Sequence, residues 1–368
     1  MPEILSPAGS LEKLYYAIAY GADAVYLSAK KFGMRTASSN FSEKELLLSK
    51  NLCKEKNIKR YITLNGFLHN EDLESLKVFL QKKELYPDAY IISDLGVIET
   101  VRKYCDVPIH LSTQASCINS YQANFWKDKG VTRIVLGRES SVQEAAKIKE
   151  KTHLEIEMFI HGSTCMSYSG HCVISNYTQG RDSNRGGCCH SCRFHYKGKG
   201  TFLSSKDMYS LDILQEFVKY GIDSLKIEGR MKGLLYLSVA TLAYKKTLSD
   251  FSKALFFKEL LDKVPNRELS HLNILEKTYS DVHQERNNAS SHQFLGNIIH
   301  QDGSFAYIEV KNSFSTPQKA TVISPSSISE ITLDHIYDLD HQEIHRTKPS
   351  TVVKIKNKDL ELYSLLVL

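Results

Sequence analysis

Eight short β-type runs alternate with helical patterns through the first two thirds of this chain, and few folds accommodate that order. The runs are Glu3–Ser6, Ala24–Ser28, Arg60–Asn65, Ala89–Ser93, Pro108–Ser112, Arg133–Gly137, Glu155–His161 and Asp223–Glu228. Between them, Ser10-Leu-Glu-Lys-Leu opens with an N-cap serine, and Ser42-Glu-Lys-Glu has capping-box spacing. Asn70–Glu84 carries Leu73, Leu76, Phe79 and Leu80 on a helical period. Eight strands alternating with helices over about 250 residues predict an α/β fold, a TIM-like (β/α)8 barrel. A doubly wound sheet is the competitor.

The runs also alternate internally. Ile156, Met158 and Ile160 interleave with Glu155, Glu157, Phe159 and His161, while Leu225 and Ile227 interleave with Ser224, Lys226 and Glu228. Ile62 and Leu64 interleave with Tyr61, Thr63 and Asn65. Successive side chains leave opposite faces of a strand. The apolar set is expected against the helices, and the polar set, His161 included, toward the barrel axis. Buried polar groups need partners, either a ligand or one another as structural ion pairs.

One connection is abnormally long. Gly162–Ser205 follows the seventh run, is rich in small and polar residues, and precedes a helix expected near Lys206–Tyr220. Loops of this length are usually functional or disordered, and a βα loop emerges where barrel active sites sit. Beyond it, Met231–Leu248 reads as a final helix and Phe251–Val264 as a helical extension; Leu269–His292 reads as a polar linker. From Gln293 the period changes to two, with Gly303 in a turn, so a small all-β barrel or sandwich is expected. The expected units are a barrel over 1–250 with its cysteine loop at 162–205, a helical extension and linker over 251–292, and a β domain over 293–368.

Of eight cysteines, Cys165, Cys172, Cys188, Cys189 and Cys192 fall inside that loop, within 28 residues. The start, MPEILSPAGS, lacks a basic n-region and an apolar h-region, so no secretory signal is expected and the cytoplasm is the expected compartment. No apolar run is long enough for a membrane span. In a reducing compartment a cysteine cluster favours metal or redox chemistry over disulfides. The spacing Cys165-x6-Cys172-x15-Cys188-x3-Cys192, with Cys189 spare, suits one iron–sulfur cluster or one zinc. Zinc sites favour close Cys-x2-Cys pairs, and Cys189–Cys192 is the one such pair, so the spacing leans toward a cluster with zinc as the runner-up. Cys53, Cys105 and Cys117 read as ordinary small buried residues. No P-loop, G-x-S-x-G or H-E-x-x-H occurs; His341 and His345, four apart, fall in a β-rich stretch and read as surface residues. The 42 acidic residues against 47 basic give a net charge of +5, and a pI near 8.6. This is compatible with nucleic acid without requiring it.

Glu157-Met-Phe-Ile-His-Gly-Ser-Thr-Cys165, then Gly170-His-Cys172 and Ser175, resembles the signature of the collagenase-like peptidase family of unknown catalytic type, peptidase family U32. Leu5-Ser-Pro-Ala-Gly, Tyr20-Gly-Ala-Asp-Ala-Val-Tyr-Leu, Thr63-Leu-Asn, His69-Asn, Leu111-Ser-Thr-Gln-Ala, Asn184-Arg-Gly-Gly-Cys188, Cys192-Arg and Lys226-Ile-Glu-Gly-Arg-Met-Lys232 look like further landmarks. The resemblance covers about residues 2–245 strongly and the tail loosely. Two departures are Cys-Arg-Phe194 where the family commonly has Cys-Arg-Trp, and Asn266-Arg-Glu-Leu-Ser-His in place of a more regular motif around an arginine.

The resemblance implies oxygen-independent RNA hydroxylation with a [4Fe–4S] cluster on Cys165, Cys172, Cys188 and Cys192. One branch hydroxylates the wobble uridine of tRNA at carbon five, with prephenate implicated as co-substrate. A longer branch acts on a ribosomal RNA cytidine. A barrel followed by one small β domain is most similar to the tRNA branch. On this reading Glu157, His161, Lys226, Glu228 and Arg230 are the candidate catalytic residues. Asn65, His69, Gln114, Arg185 and Arg193 are candidate substrate contacts. Arg181, Lys197 and Lys199 are further candidates for phosphates, and Tyr168, Tyr177, Phe194 and Tyr196 for stacking on a splayed base. The competing expectations are a peptidase using Cys165 with His161, and a non-catalytic RNA-binding factor.

Overall fold

The apolar residues of each run face helices, and that requirement shapes the first domain. In the computed structural model, which describes all residues except 35–38, 169–170, 277–291 and 357–359, seven strands pair in parallel in chain order. They are β1 (Glu3–Pro7), β2 (Ala24–Leu27), β3 (Lys59–Leu64), β4 (Ala89–Ile92), β5 (Ile109–Leu111), β6 (Val131–Val135) and β7 (Glu155–Ser163). After β8 (Asp207–Met208), β9 (Ser224–Ile227) pairs with both β7 and β1 and closes an eight-stranded barrel. A doubly wound sheet would have stayed open.

Helices α1 (Leu11–Ala19), α2 (Glu43–Glu55), α3 (Asn70–Leu80), α4 (Leu95–Tyr104), α5 (Ser120–Asp128) and α6 (Val142–Thr152) each follow their strand. The short α7 (Ile174–Gln179) and α8 (Leu214–Lys219) precede α9 (Leu234–Ser249) and α10 (Ala254–Asp262). Ser10 caps α1, and Ser42 forms the expected capping box on α2. Ile4, Val25, Leu27, Ile62, Leu64, Ile156, Met158, Leu225 and Ile227 join one core cluster with the helices. Each such side chain removed from water contributes about 1.5–3 kcal/mol. Leu5, Ala24, Tyr26, Tyr61, Ala89 and Ile91 form a separate cluster on the inward face.

Three departures from the sequence reading surround the site. The register slips between Phe159 and His161, so β7 bulges just where the long loop begins. The stretch expected to start a helix at Lys206 instead begins with β8, which pairs antiparallel to the end of β7, Met208 against Gly162 and Asp207 against Ser163. β10 (Leu269–Ser270), in the stretch expected to be linker, pairs with β8. Most of that stretch, 277–291, lies outside the described residues.

The tail is an antiparallel sheet in the order β14-β13-β18-β11-β12-β17-β15-β16. Its strands are β11 (Phe294–Gln301), β12 (Ala306–Val310), β13 (Gln318–Ile323), β14 (Ile328–Leu333), β15 (Ile336–Tyr337), β16 (Glu343–Ile344), β17 (Val352–Ile355) and β18 (Leu365–Val367). Gly303 turns the β11–β12 connection with φ +82°. The tail docks on α1: Tyr20 Oη donates to the carbonyls of Ile323 at 2.6 Å and Tyr363 at 3.0 Å, and Asn297 Nδ2 donates to Tyr16 Oη at 2.8 Å. Among the described residues no helix is long and apolar enough to cross a membrane.

Candidate active site

The inward-facing residues of β1, β6, β7 and β9 build a charged floor. Lys226 Nζ lies 2.7 Å from Glu157 Oε1, and both residues are buried. Glu157 Oε2 is 3.4 Å from Arg133, which also pairs with Glu3 at 2.8 Å and with Glu155 at 2.7 Å. Tyr61 Oη and Ser224 Oγ donate to the Glu3 carboxylate. Burial pushes Glu3 up, but the Arg133 charge and the bonds from Arg133, Tyr61 and Ser224 outweigh it and hold the carboxyl below its ordinary range. Burial, then the charges of Arg133, Lys226 and Lys59, keep His110 well below the usual histidine range, so it is neutral at pH 7. Lys226 Nζ also sits 4.6 Å from the Tyr26 ring centre.

Above this floor opens a cavity of about 330 Å³. Its barrel wall carries Tyr26, Thr63, Asn65, Ser112, Gln114, Arg138, Phe159, Lys226, Glu228, Arg230 and Lys232. The long loop folds across it and brings Cys165, Cys172, Cys188, Cys192 and Arg193 to the same cavity. Burial raises the Cys192 thiol, and Cys165, Cys188 and Cys172 raise it further against the opposing charge of Arg193, which places the four thiols in one neighbourhood. Cys189 is not on the lining: its thiol contacts the Gly187 carbonyl at 3.3 Å, and its backbone N–H donates to Ser175 Oγ at 3.1 Å.

Local anchors fix the loop. His171 Nε2 lies 2.8 Å from the Gln114 carbonyl, Thr164 Oγ1 donates to the Lys206 carbonyl at 2.6 Å, and Phe67 N–H donates to the Asn184 carbonyl at 3.0 Å. Asp207 is buried and receives Arg267 through two guanidinium nitrogens, with Lys232 3.9 Å away. Burial pushes Asp207 up, and Arg267 and Lys232 more than reverse this, holding it ionised. Gly162, at φ +105°, is required where the bulged strand end meets β9, because a Cβ there would fall 2.3 Å from the Glu228 carbonyl oxygen.

Three placements correct the sequence reading. His161 does not enter the lumen. The register slip pairs it with the outward Ile227 and turns it toward α9, its ring 5.4 Å from those of Tyr236 and Tyr244. It is fully buried, and its Nδ1 lies 3.4 Å from Tyr244 Oη. No hydrogen bond joins it to Cys165, whose thiol contacts Ser167 Oγ at 3.0 Å, so the thiol–imidazole pair of a peptidase is not formed. Arg185 is occupied as a clamp, on Asp72 at 2.6 Å and the Phe67 carbonyl at 2.8 Å. His69 is the exposed residue before α3 and lies off the cavity lining. Sequence reading missed Arg138, whose guanidinium lies 3.9 Å from the Phe159 ring centre on the cavity wall. Its signal was available: a basic residue directly after the sixth run.

Residues 9–284 match Peptidase family U32, and residues 290–366 match the Peptidase family U32 C-terminal domain. The chain belongs to peptidase family U32. Among family U32 relatives, tRNA hydroxylation protein P1 of Bacillus subtilis (strain 168) is 35% identical over 96% of this chain and 92% of its own length. The tRNA hydroxylation protein P of Escherichia coli (strain K12) is 31% identical over 91% and 89%. The 23S rRNA 5-hydroxycytidine C2501 synthase of Escherichia coli (strain K12) is 36% identical over 67% of this chain, but only 39% of its own length is covered.

Proposed function

We propose that this protein is an iron–sulfur-dependent enzyme that hydroxylates tRNA without oxygen, at carbon five of the wobble uridine. One observation carries the reading: four thiols of a single loop line the same barrel-mouth cavity as Lys226, Glu228, Arg230 and Arg138. Relatives named for tRNA hydroxylation align over nearly their whole length, whereas the ribosomal RNA enzyme is mostly unmatched.

The donor set fits a [4Fe–4S] cluster, which takes four cysteine thiolates. Cys165, Cys172, Cys188 and Cys192 would hold it. Among the described residues no three His, Cys, Asp or Glu side chains are gathered around one point as ligands of a single ion. The preference for a cluster over zinc therefore rests on the spacing and the family resemblance. Bound there, the cluster would supply electron transfer or Lewis acidity at the cavity wall. The chain's own residues supply the rest. Lys226, fixed by Glu157, and Arg230, which donates to Thr63 Oγ1 at 3.2 Å, offer cations to an anionic co-substrate such as prephenate. Asn65 and Gln114 offer amides to a base edge. The loop folds along one side of the cavity and brings the four thiols to it.

The test has two arms. Protein purified without oxygen is expected to be brown and to hold four irons per chain, and zinc in place of iron would refute the cluster. Mass spectrometry of RNA from a deletion strain is expected to show plain uridine at the wobble position. Intact tRNA with a missing hydroxycytidine in ribosomal RNA would move the protein to the other reaction.

A further inference from the structure

A second cavity, of about 440 Å³, lies beside the first, between the β2–α2 loop and the facing sides of α2 and α3. Its floor is apolar, with the buried Phe41, Leu46 and Phe79 and the half-buried Phe32, and its rim carries the exposed Val78 with Lys30, Lys31 and Lys82. Glu43 is the one carboxylate on the lining and is paired with Lys82 at 2.6 Å. The site thus presents one accessible aromatic ring, Phe32, backed by buried ones, under a net positive edge.

The two cavities share a wall. Phe32 lines the second and Met34 the first, two residues apart on one loop. Phe32–Met34 is fixed by close contacts. The Phe32 carbonyl accepts from Gly66 N–H at 2.9 Å, and Met34 N–H donates to Asn65 Oδ1 at 3.3 Å. Gly33 approaches so closely that a Cβ would fall 2.1 Å from Ser28 Oγ. Phe32 itself has φ +73°, a conformation that costs a bulky side chain energy and persists only where the surroundings enforce it. The result is a half-buried phenyl ring, packed 5.8 Å from that of Phe79 and leaning over the cavity.

We infer that this second cavity binds a nucleotide adjacent to the reacting one, its base stacked on Phe32 and its phosphate held by Lys30 and Lys31. Two residues of chain reach at most about 7 Å, and here the chain bends at Phe32, so along this loop the two linings lie within one step between neighbouring nucleotides of a single strand. An RNA whose target base enters the first cavity therefore brings its neighbour to the second. Stacking on an aromatic ring tolerates any base, so the site adds affinity and register rather than sequence choice. The inference rests on the RNA-substrate reading above.

The test titrates an anticodon stem-loop into the holoenzyme, intact and with an abasic site immediately 5′ or 3′ of the target uridine. The wild type is expected to bind one of the two abasic RNAs about tenfold more weakly. Phe32→Ala is expected to bind the intact RNA about tenfold more weakly and to be indifferent to that abasic site. Lys30→Glu/Lys31→Glu is expected to weaken all three RNAs alike and to flatten the salt dependence. Wild-type indifference to both abasic sites, or undiminished sensitivity in Phe32→Ala, overturns this inference and leaves the RNA reading standing. Failure of the wild type to bind the intact stem-loop overturns both.

Discussion

At the scale of single residues, adjacency in sequence misleads about chemistry. Cys188 and Cys189 are neighbours, yet one thiol lines the cavity and the other turns to the Gly187 carbonyl. Cys188→Ser is expected to abolish iron binding and Cys189→Ser to retain it, measured as iron per chain after anaerobic purification; loss of iron in Cys189→Ser alone would overturn the ligand assignment. His161 shows the opposite problem. It looked catalytic because it ends a strand beside the loop, but a register slip, which leaves no mark on the period-two pattern, turns it under α9. Burial lowers its pKa to about 4 from an ordinary value near 6.5. The unfolded chain then binds a proton that the folded chain refuses between those values, so stability falls as pH drops through that window. The loss is on the order of 3 kcal/mol for such a shift. Urea midpoints compared at pH 7 and pH 5 are expected to drop more in the wild type than in His161→Phe. Equal drops would mean that other groups dominate the acid response.

At the scale of elements, the strand alternation made the barrel legible because both periodicities agreed. The inward placement of Glu157, Lys226 and Glu228 follows from the period, while Arg133, the second partner of Glu157, needs the register between β6 and β7. Basic loop residues were harder, since Arg185 finds Asp72 far away in sequence and no local pattern announces that pairing. The two-residue strands β8 and β10 are too short to carry a period at all. The floor network permits a sharper prediction. Lys226→Met leaves the fully buried Glu157 with only the longer Arg133 contact, and breaking a buried pair costs about 3–5 kcal/mol. Adding Glu157→Gln removes the orphaned charge. Thermal unfolding is expected to show the single variant strongly destabilised and the double variant largely recovered, with tRNA hydroxylation absent from both. Activity returning with stability in the double variant would make Lys226 structural.

At the scale of the whole molecule, the sequence announced a change of period at Gln293 but not what the tail rests on. The docking surface is the outer face of α1, where Tyr16 and Tyr20 hold their side chains against the tail rather than solvent. Ile323, Leu365 and Val367 of the tail belong to the same apolar cluster as the barrel's outer core. In the sequence α1 is marked by its N-cap serine, Ser10, and a cap does not tell a face covered by helices from one covered by a sheet. Shared burial of this kind makes folding of the two parts interdependent. The single tryptophan, Trp126, lies on α5 of the barrel, so its fluorescence reports barrel unfolding alone. A chain ending at residue 292 loses both acceptors of Tyr20 and exposes the apolar contacts around it. Its tryptophan-monitored urea transition is expected below that of the full chain, by on the order of 3 kcal/mol. Tyr20→Phe in the full chain is expected to move it the same way by about 1–2 kcal/mol. An identical midpoint with and without the tail would make the β domain an independent unit, and its contribution would then have to be sought in RNA binding rather than in holding the barrel.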